Sequence, residues 1–461
     1  MIQDLLHDLR YSLRTLTRSP GFTAVAVLTL AIGIGAGTTV FNVANWVLLR
    51  PVPGTAEPDR LVRVRMSMAE QSEGTFPISH PNYADLRARS TTLTDLAATF
   101  EPQMSLAAEG TLEPRRVDGA LVTANYFDVL GARPALGRTF SEAESGADGT
   151  GAEPVAVISH RLWRGAFGAD PGTVGRTVTI NGHPFTVIGV APEGFLGDEL
   201  PGTTDLWVPV AMHERIVPGR GEDLLADRSE IVYFEMVGRL AAGVEPTAAE
   251  AELRGIVAAL AEEYPGENRT IASMDVVPVL THGLGLPAHA RSDVRQTVWI
   301  LAGVVGMLLL LTCANVANLL LARASRRRRE LAVRQALGAG RARLARLFLT
   351  ESTLLALAGA ALALVASLWL DELLGNVRLA SGIAALGEMR PDARVFGFAV
   401  LAAIGAVALF GAGPALAASR QDPARHLKEG ARTSARRPLL RHGLVAAQIA
   451  ISLALVIGAG L

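Results

Sequence analysis

Lysine is almost missing from these 461 residues: Lys428 is the only one among 43 basic side chains. A phosphate-cradling loop of the Gly-x-x-x-x-Gly-Lys-Ser/Thr type needs a lysine next to glycines at fixed offsets, and Lys428 has no such neighbourhood. Any ATP used by the system must therefore be bound by another polypeptide. Cysteine is equally scarce. Cys313 stands alone, so no disulfide and no cysteine-based zinc site can form within one chain. The nine histidines are scattered without metal-ligand spacing, and no Gly-x-Ser-x-Gly elbow occurs. No catalytic residue, metal or cofactor is expected, and no nucleic-acid partner.

Charge is also missing, from five long apolar runs: Phe22–Leu49, Thr297–Ala322, Leu347–Leu370, Val395–Ala418 and Gly443–Leu461. None holds a lysine or arginine, and Glu351 is their only acid. Each approaches the ~20 residues that cross ~30 Å of hydrocarbon. Half the chain is apolar, and its mean hydropathy is +0.31. That mixture predicts spanning helices together with a water-soluble domain. The first run is too long for a signal-peptide core and lacks a small-residue cleavage site, so it reads as a retained anchor.

The net charge of −1 conceals an asymmetry. Between Pro51 and Gln296 lie 34 of the 44 acids but only 20 of the 43 basic residues. Residues 1–21 hold three arginines, Arg323–Arg346 nine, and Ser419–Arg441 six plus Lys428; Asp371–Arg394 holds three against four acids. Positive charge stays on the cytoplasmic side. The expected order is therefore a cytoplasmic amphipathic helix (1–20), a first span (21–49), an outer domain (50–296), a second span (297–322), an inner loop (323–346), a third span (347–370), a short outer loop (371–394), a fourth span (395–418), an inner linker (419–442) and a fifth span (443–461). In the first of these, Leu5, Leu9, Leu13 and Leu16 share one helical face, as in a helix lying on a membrane surface.

The outer domain mixes strands and helices. Strands are expected at Leu61–Met66, Arg115–Val122, Val155–Ser159, Tyr233–Leu240 and Val276–Leu280, and helices at His80–Arg89, Tyr126–Leu130 and Pro246–Tyr264. Another helix carries Trp163 and Phe167; these two and Trp207 read as core. Asn181-Gly182, between Thr177–Ile180 and Pro184–Val190, is a hairpin signal, because a type I′ turn needs positive φ at both positions. The fold class is an α-helical membrane protein with a large α+β domain, expected as two subdomains, inserted between the first and second transmembrane helices.

Within the spans, Gly33 and Gly37 lie four apart and flatten one helix face for close packing; a hinge is the alternative. Asn315 and Asn318 share a face, and amides in lipid need partners on a neighbouring helix. In the inner loop, Arg326–Leu337 should be helical, with Glu330 and Arg334 in the favourable i,i+4 order and Gly338 and Gly340 ending the turn. From the residues alone two roles stay open, a partner's docking surface and an anchor on anionic lipid, and they can coexist. Arg341, Arg343 and Arg346 read as membrane-surface anchors.

Several segments together resemble one family. They are Thr29-Leu-Ala-Ile-Gly-Ile-Gly-Ala-Gly37, Asn125-Tyr-Phe-Asp-Val-Leu130, Gly137-Arg-Thr-Phe140, Pro154-Val-Ala-Val-Ile-Ser-His-Arg-Leu-Trp163, Gly175-Arg-Thr-Val-Thr-Ile-Asn-Gly182, Cys313-Ala-Asn-Val-Ala-Asn-Leu-Leu-Leu-Ala-Arg323 and Arg329-Glu-Leu-Ala-Val-Arg-Gln-Ala-Leu-Gly-Ala339. In order along the chain, they resemble the MacB/FtsX-like permeases, ABC-transporter permeases of the macrolide-exporter and lipoprotein-release type. The resemblance implies a periplasmic core domain between the first two spans of a bacterial inner-membrane protein. It implies that Arg329, Glu330, Leu331, Ala332, Val333, Arg334, Gln335, Ala336, Leu337 and Gly338 form a coupling helix that docks on a cytoplasmic ABC ATPase subunit. It also implies a second permease unit, fused or homodimeric. A four-span unit of the family would end shortly after Asp422–Leu427, so the fifth span resembles the opening of a second unit in duplicated permeases, cut short at Leu461. The function implied is mechanotransmission, in which ATP-driven motion reaches the periplasmic domain to export or release a substrate. The alternative is a signalling scaffold that regulates a periplasmic hydrolase or sensor kinase without transport. Membrane lipid is the remaining partner.

Overall fold

In a computed structural model, residues 2–68, 75–108, 112–144, 153–198, 202–219, 224–233, 235–284, 288–326, 341–376, 392–411 and 438–460 are described. They form two compact units. One is built on Val47–Asp293, the other on Met1–Trp46 with the helices after Val294.

The first unit is α+β. Its strands are β1 (Leu61–Met68), β2 (Ile78–Ser79), β3 (Leu93–Phe100), β4 (Gln103–Ala108), β5 (Leu112–Val122), β6 (Leu136–Gly137), β7 (Val155–Ile158), β8 (Thr177–Ile180), β9 (His183–Val190), β10 (Leu206–Pro209), β11 (Ile231–Tyr233), β12 (Glu235–Leu240) and β13 (Val276–His282). Six of them close on themselves. β5 pairs with β4, β4 with β8, β8 with β9, β9 with β7, β7 with β10, and β10 returns to β5 in parallel. Closure leaves this ring without a free edge. From β5, an antiparallel sheet continues through β3, β12, β1 and β13. β5 is thus shared between ring and sheet, and both belong to one hydrogen-bonded system.

Local sequence accounts for much of this. The β8–β9 turn places Asn181 at φ 47° and Gly182 at φ 87°, with Ile180 opposite His183, as a two-residue turn of positive φ requires. The helix over His80–Arg89 starts where the Ser79 hydroxyl accepts the Asn82 N–H, with Pro81 in its first turn. The helix over Pro246–Glu263 buries Ala249, Leu253, Val257 and Leu260, an i, i+4, i+8 stripe. Trp207 is fully buried and Phe167 nearly so, while Trp163 is partly buried against the same core. Three strands carry no comparable signal. Leu93–Phe100 alternates weakly, Gln103–Ala108 alternates over its first four residues only, and Leu206–Pro209 ends on a proline. The run expected as one strand over Tyr233–Leu240 instead serves two sheets, since β11 pairs with β2 while β12 pairs with β1 and β3.

In chain order the helices are α1 (Ile2–Thr17), α2 (Pro20–Ala44), α3 (His80–Arg89), α4 (Tyr126–Leu130), α5 (His160–Ala166), α6 (His213–Ile216), α7 (Pro246–Glu263), α8 (Arg269–Ser273), α9 (Ala288–Arg326), α10 (Arg341–Asn376), α11 (Ala393–Ala406) and α12 (Pro438–Gly460). Among the described residues, three stretches are long and apolar enough to cross a membrane: Pro20–Ala44, Asp293–Arg323 and Arg346–Ser367. Ala393–Leu409 and Val445–Ile457 are shorter apolar helices. Several helix boundaries differ from the expected spans: α9 runs over Ala288–Arg326 rather than 297–322. α2 ends at Ala44 and passes into a π-helical turn over Asn45–Leu49, and α10 runs to Asn376, into the stretch expected as an outer loop.

The core of the helical unit is rich in alanine. Ala26, Leu30 and Ile34 of α2 meet Val316, Ala317 and Leu320 of α9, Leu355, Ala356, Ala360 and Ala363 of α10, and Ala403 and Ala406 of α11. Small residues let helix backbones approach, which is how packing replaces a hydrophobic drive inside lipid. α1 buries a largely polar face together with Leu16, the last residue of the leucine face. Asp8, Ser12, Thr15 and Leu16 are buried while Leu13 is exposed, because α1 lies against α10 and α2.

Candidate functional site

The closest approach in the bundle is made by Gly33. A β-carbon on it would stand 2.4 Å from Thr312 Oγ1 and 3.2 Å from Thr312 Cβ. Rotating the threonine relieves this only in part, since its Cβ stays in tight contact. Gly37 is one turn further on. A β-carbon there would make ordinary contacts, 3.4 Å to Val305 and 3.5 Å to Phe398. The Phe398 ring also stacks on Phe41, with centroids 4.5 Å apart. The structure therefore places Gly33 and Gly37 in one packed seam, with a steric need for glycine at Gly33.

Asn315 and Asn318 both reach α12. Asn318 Nδ2 donates to Gln448 Oε1 at 3.1 Å, and Gln448 Nε2 donates to Asn315 Oδ1 at 2.9 Å. One glutamine thus uses both ends of its amide to bridge two asparagines a turn apart on α9. At the far end of α2, Asn45 Nδ2 donates to Asp392 Oδ2 at 3.0 Å. The other Asp392 oxygen caps α11 by accepting the N–H groups of Arg394 and Val395.

Arg329, Glu330, Leu331, Ala332, Val333, Arg334, Gln335, Ala336, Leu337 and Gly338 lie outside the described residues. The two helix ends that lead into and out of that segment are described. Arg323, in the last turn of α9, donates through Nη2 to the Thr15 carbonyl at 2.9 Å and to Ser19 Oγ at 2.6 Å. Its guanidinium carbon lies 4.4 Å from the centroid of the Phe22 ring. Arg346, in the second turn of α10, is not a bare surface anchor: its Nε is 2.6 Å from Asp8 Oδ2. The anchor reading fails there because α1 brings a buried carboxylate to the arginine. The one acid of the apolar runs, Glu351, is buried on the same helix.

The α+β unit holds no comparable chemistry. Among the described residues no three His, Cys, Asp or Glu side chains converge to hold a metal ion. Its most perturbed histidine is His80, which burial and the nearby His213 push down to about 4. His80 Nδ1 lies 2.7 Å from the Tyr233 hydroxyl. That pair belongs to an aromatic cluster with Tyr83, inside the core. A shallow groove of about 280 Å³ opens beside Gln103, Ser105, Arg115, Arg116 and Asn181.

The need for a partner at Asn315 and Asn318 is visible in the sequence, but the choice of Gln448 is not. For α1, a signal is present in hindsight. Asp8, Ser12 and Thr15 follow i, i+4, i+7 and form a small polar stripe beside the more conspicuous leucines.

Comparison with known proteins adds the following. Residues 23–256, just over half of the chain, match the model of the MacB-like periplasmic core domain. Residues 302–423 match the FtsX-like permease C-terminal model. The chain is 27% identical over 293 residues to the pyoverdine export ATP-binding/permease protein PvdT of Pseudomonas syringae pv. tomato, covering 63% of this chain and 39% of that protein. It is 25% identical over 315 residues to the macrolide export ATP-binding/permease protein MacB of Bdellovibrio bacteriovorus, covering 67% and 43%. The chain thus spans about two fifths of the length of these curated relatives. Among solved structures, the periplasmic region of MacB from Actinobacillus actinomycetemcomitans aligns with a TM-score of 0.36 and 16% identity, covering 54% of this chain and 96% of that one.

Proposed function

Because this chain belongs to the MacB/FtsX-like family of ABC-transporter permeases, we propose that it is the permease part of an ATP-driven machine that exports or releases a substrate. Nucleotide is bound and hydrolysed by an ABC ATPase outside these 461 residues, which carry no phosphate loop. The N-terminus, the 323–346 segment and the 419–442 segment face the cytoplasm, as their arginine excess requires. The core domain faces the periplasm, inserted between α2 and α9. ATPase closure pushes the coupling segment Arg329–Gly338, and α9 and α10 carry that displacement through the membrane. The pairing of Asn315 and Asn318 with Gln448, and the packing at Gly33 and Gly37, hold the helices in register while it passes.

The observation that carries this reading is the order of the two family matches, core domain and then permease C-terminal region, along one chain with long apolar helices. The relatives PvdT and MacB are named for export of pyoverdine and of macrolides, which favours an exported small molecule as the substrate. α12 is the first helix of a second permease unit.

The test is ATP hydrolysis by the co-purifying ATPase in membranes that carry Glu330→Ala/Arg334→Ala. Loss of stimulation and export at unchanged permease abundance is expected. Hydrolysis and export at the unaltered level would refute the docking role.

A further inference from the structure

α1 touches both roots of the inner connection. Arg323 lies in the last turn of α9 and Arg346 in the second turn of α10. Both arginines are held by the same N-terminal helix, through different chemistry.

At its C-terminal end, α1 leaves its last carbonyls without helical partners. Arg323 Nη2 satisfies one of them, Thr15 O, at 2.9 Å. Its position also suits the negative end of the helix dipole. The same nitrogen bonds Ser19 Oγ at 2.6 Å, and the guanidinium lies over Phe22 at the start of α2. Two turns back, Asp8 is buried and accepts from Arg346 Nε at 2.6 Å. Between these contacts Ser12 and Thr15 are buried against the bundle. The planar Arg323 guanidinium donates in its plane while its face lies over Phe22.

We propose that α1 is a brace that fixes the two roots of the inner loop relative to each other, with Asp8 and Arg346 as its positioning pair. A push delivered to the loop then drives α9 and α10 together instead of splaying them. This rests on the reading of 323–346 as the docking segment. Asp8 is buried while the Arg346 side chain is 35% exposed, so each single reversal sets like charges against each other and should open the brace, and the double reversal should close it again.

The full chain with Cys313→Ala carries nitroxide labels on cysteines introduced at Ala322 and Arg343, both exposed, and is reconstituted with its ATPase. Pulsed electron spin resonance reads the distance between the roots. Asp8→Arg and Arg346→Asp should each broaden that distribution and lower stimulated ATP hydrolysis by about fivefold or more. The combination Asp8→Arg/Arg346→Asp should restore both. A distribution that ignores Asp8→Arg, or a double reversal that restores neither quantity, overturns the brace. Glu330→Ala/Arg334→Ala, measured alongside, reports on docking by itself: it should abolish stimulation with the root distance unchanged. If it leaves stimulation intact, the docking reading fails whatever the distances do.

Discussion

Gln448 and Asn318 meet amide to amide, with Asn318 donating to Gln448 at 3.1 Å while Gln448 donates onward to Asn315 at 2.9 Å. The three side chains hold α12 on α9 at one register. Interhelical hydrogen bonds in lipid contribute about 0.6 kcal/mol on average and up to ~1.7 kcal/mol. Gln448→Leu and Asn318→Leu should therefore each destabilise the detergent-solubilised chain by about 1 kcal/mol. Together they should cost less than their sum. Thermal unfolding in a double-mutant cycle measures the coupling, and strict additivity would show that the two amides do not interact.

Gly33 offers a steric test. Gly33→Ala puts a methyl group where Thr312 already stands, so α2 and α9 must separate. A cost of about 1–3 kcal/mol is expected, as for other overpacked cores. Gly33→Ala combined with Thr312→Ala should recover most of it. Gly37→Ala should be nearly silent, because its nearest neighbours lie at 3.4 Å or beyond. Equal losses at the two glycines would contradict the packing described.

Acid should weaken the α+β unit in two separable windows. Burial pushes the Glu252 carboxyl up, but hydrogen bonds from Thr91 and Thr92 outweigh it and hold it at about 2. Its folded value lies below the ordinary 4.5, so its contribution is full above pH 4.5 and is lost as pH falls toward 2. His80 is held at about 4, below its ordinary 6.5. The unfolded chain therefore takes up that proton first, and stability declines as pH falls from 6.5 toward 4. Glu252→Gln should flatten the lower window and His80→Gln the upper one in melting temperatures taken across pH. A Glu252→Gln chain with an unchanged slope below pH 4.5 would remove the carboxylate from this account.

Much of the fold could be read locally. The helix His80–Arg89 and the strand Val155–Ile158 follow from short-range signals: a serine cap with proline in the first turn, and a short apolar run bounded by turn residues. β3, β4 and β10 do not. Their alternation is weak or brief, or a proline interrupts it, and all three strands form by pairing with β5. The bundle divides in the same way. Gly33, Gly37, Asn315 and Asn318 are conspicuous because glycines and amides are costly or purposeful in an apolar helix. Asp8 is inconspicuous, because an acid near a chain's start reads as solvated until a second helix is placed beside it.

The sequence by itself determined which stretches are apolar enough to enter lipid, which ends carry the arginines, and where the backbone must turn at Asn181-Gly182. These properties depend on composition and on neighbours a few residues away. Only the tertiary structure decided that Arg346 meets Asp8, 338 positions earlier, that Asn318 meets Gln448, 130 positions later, and that β10 closes the ring onto β5. A buried polar group requires a partner, and the sequence displays that requirement. Which of many distant candidates satisfies it depends on how whole helices and strands pack, and that is settled only once they are in contact.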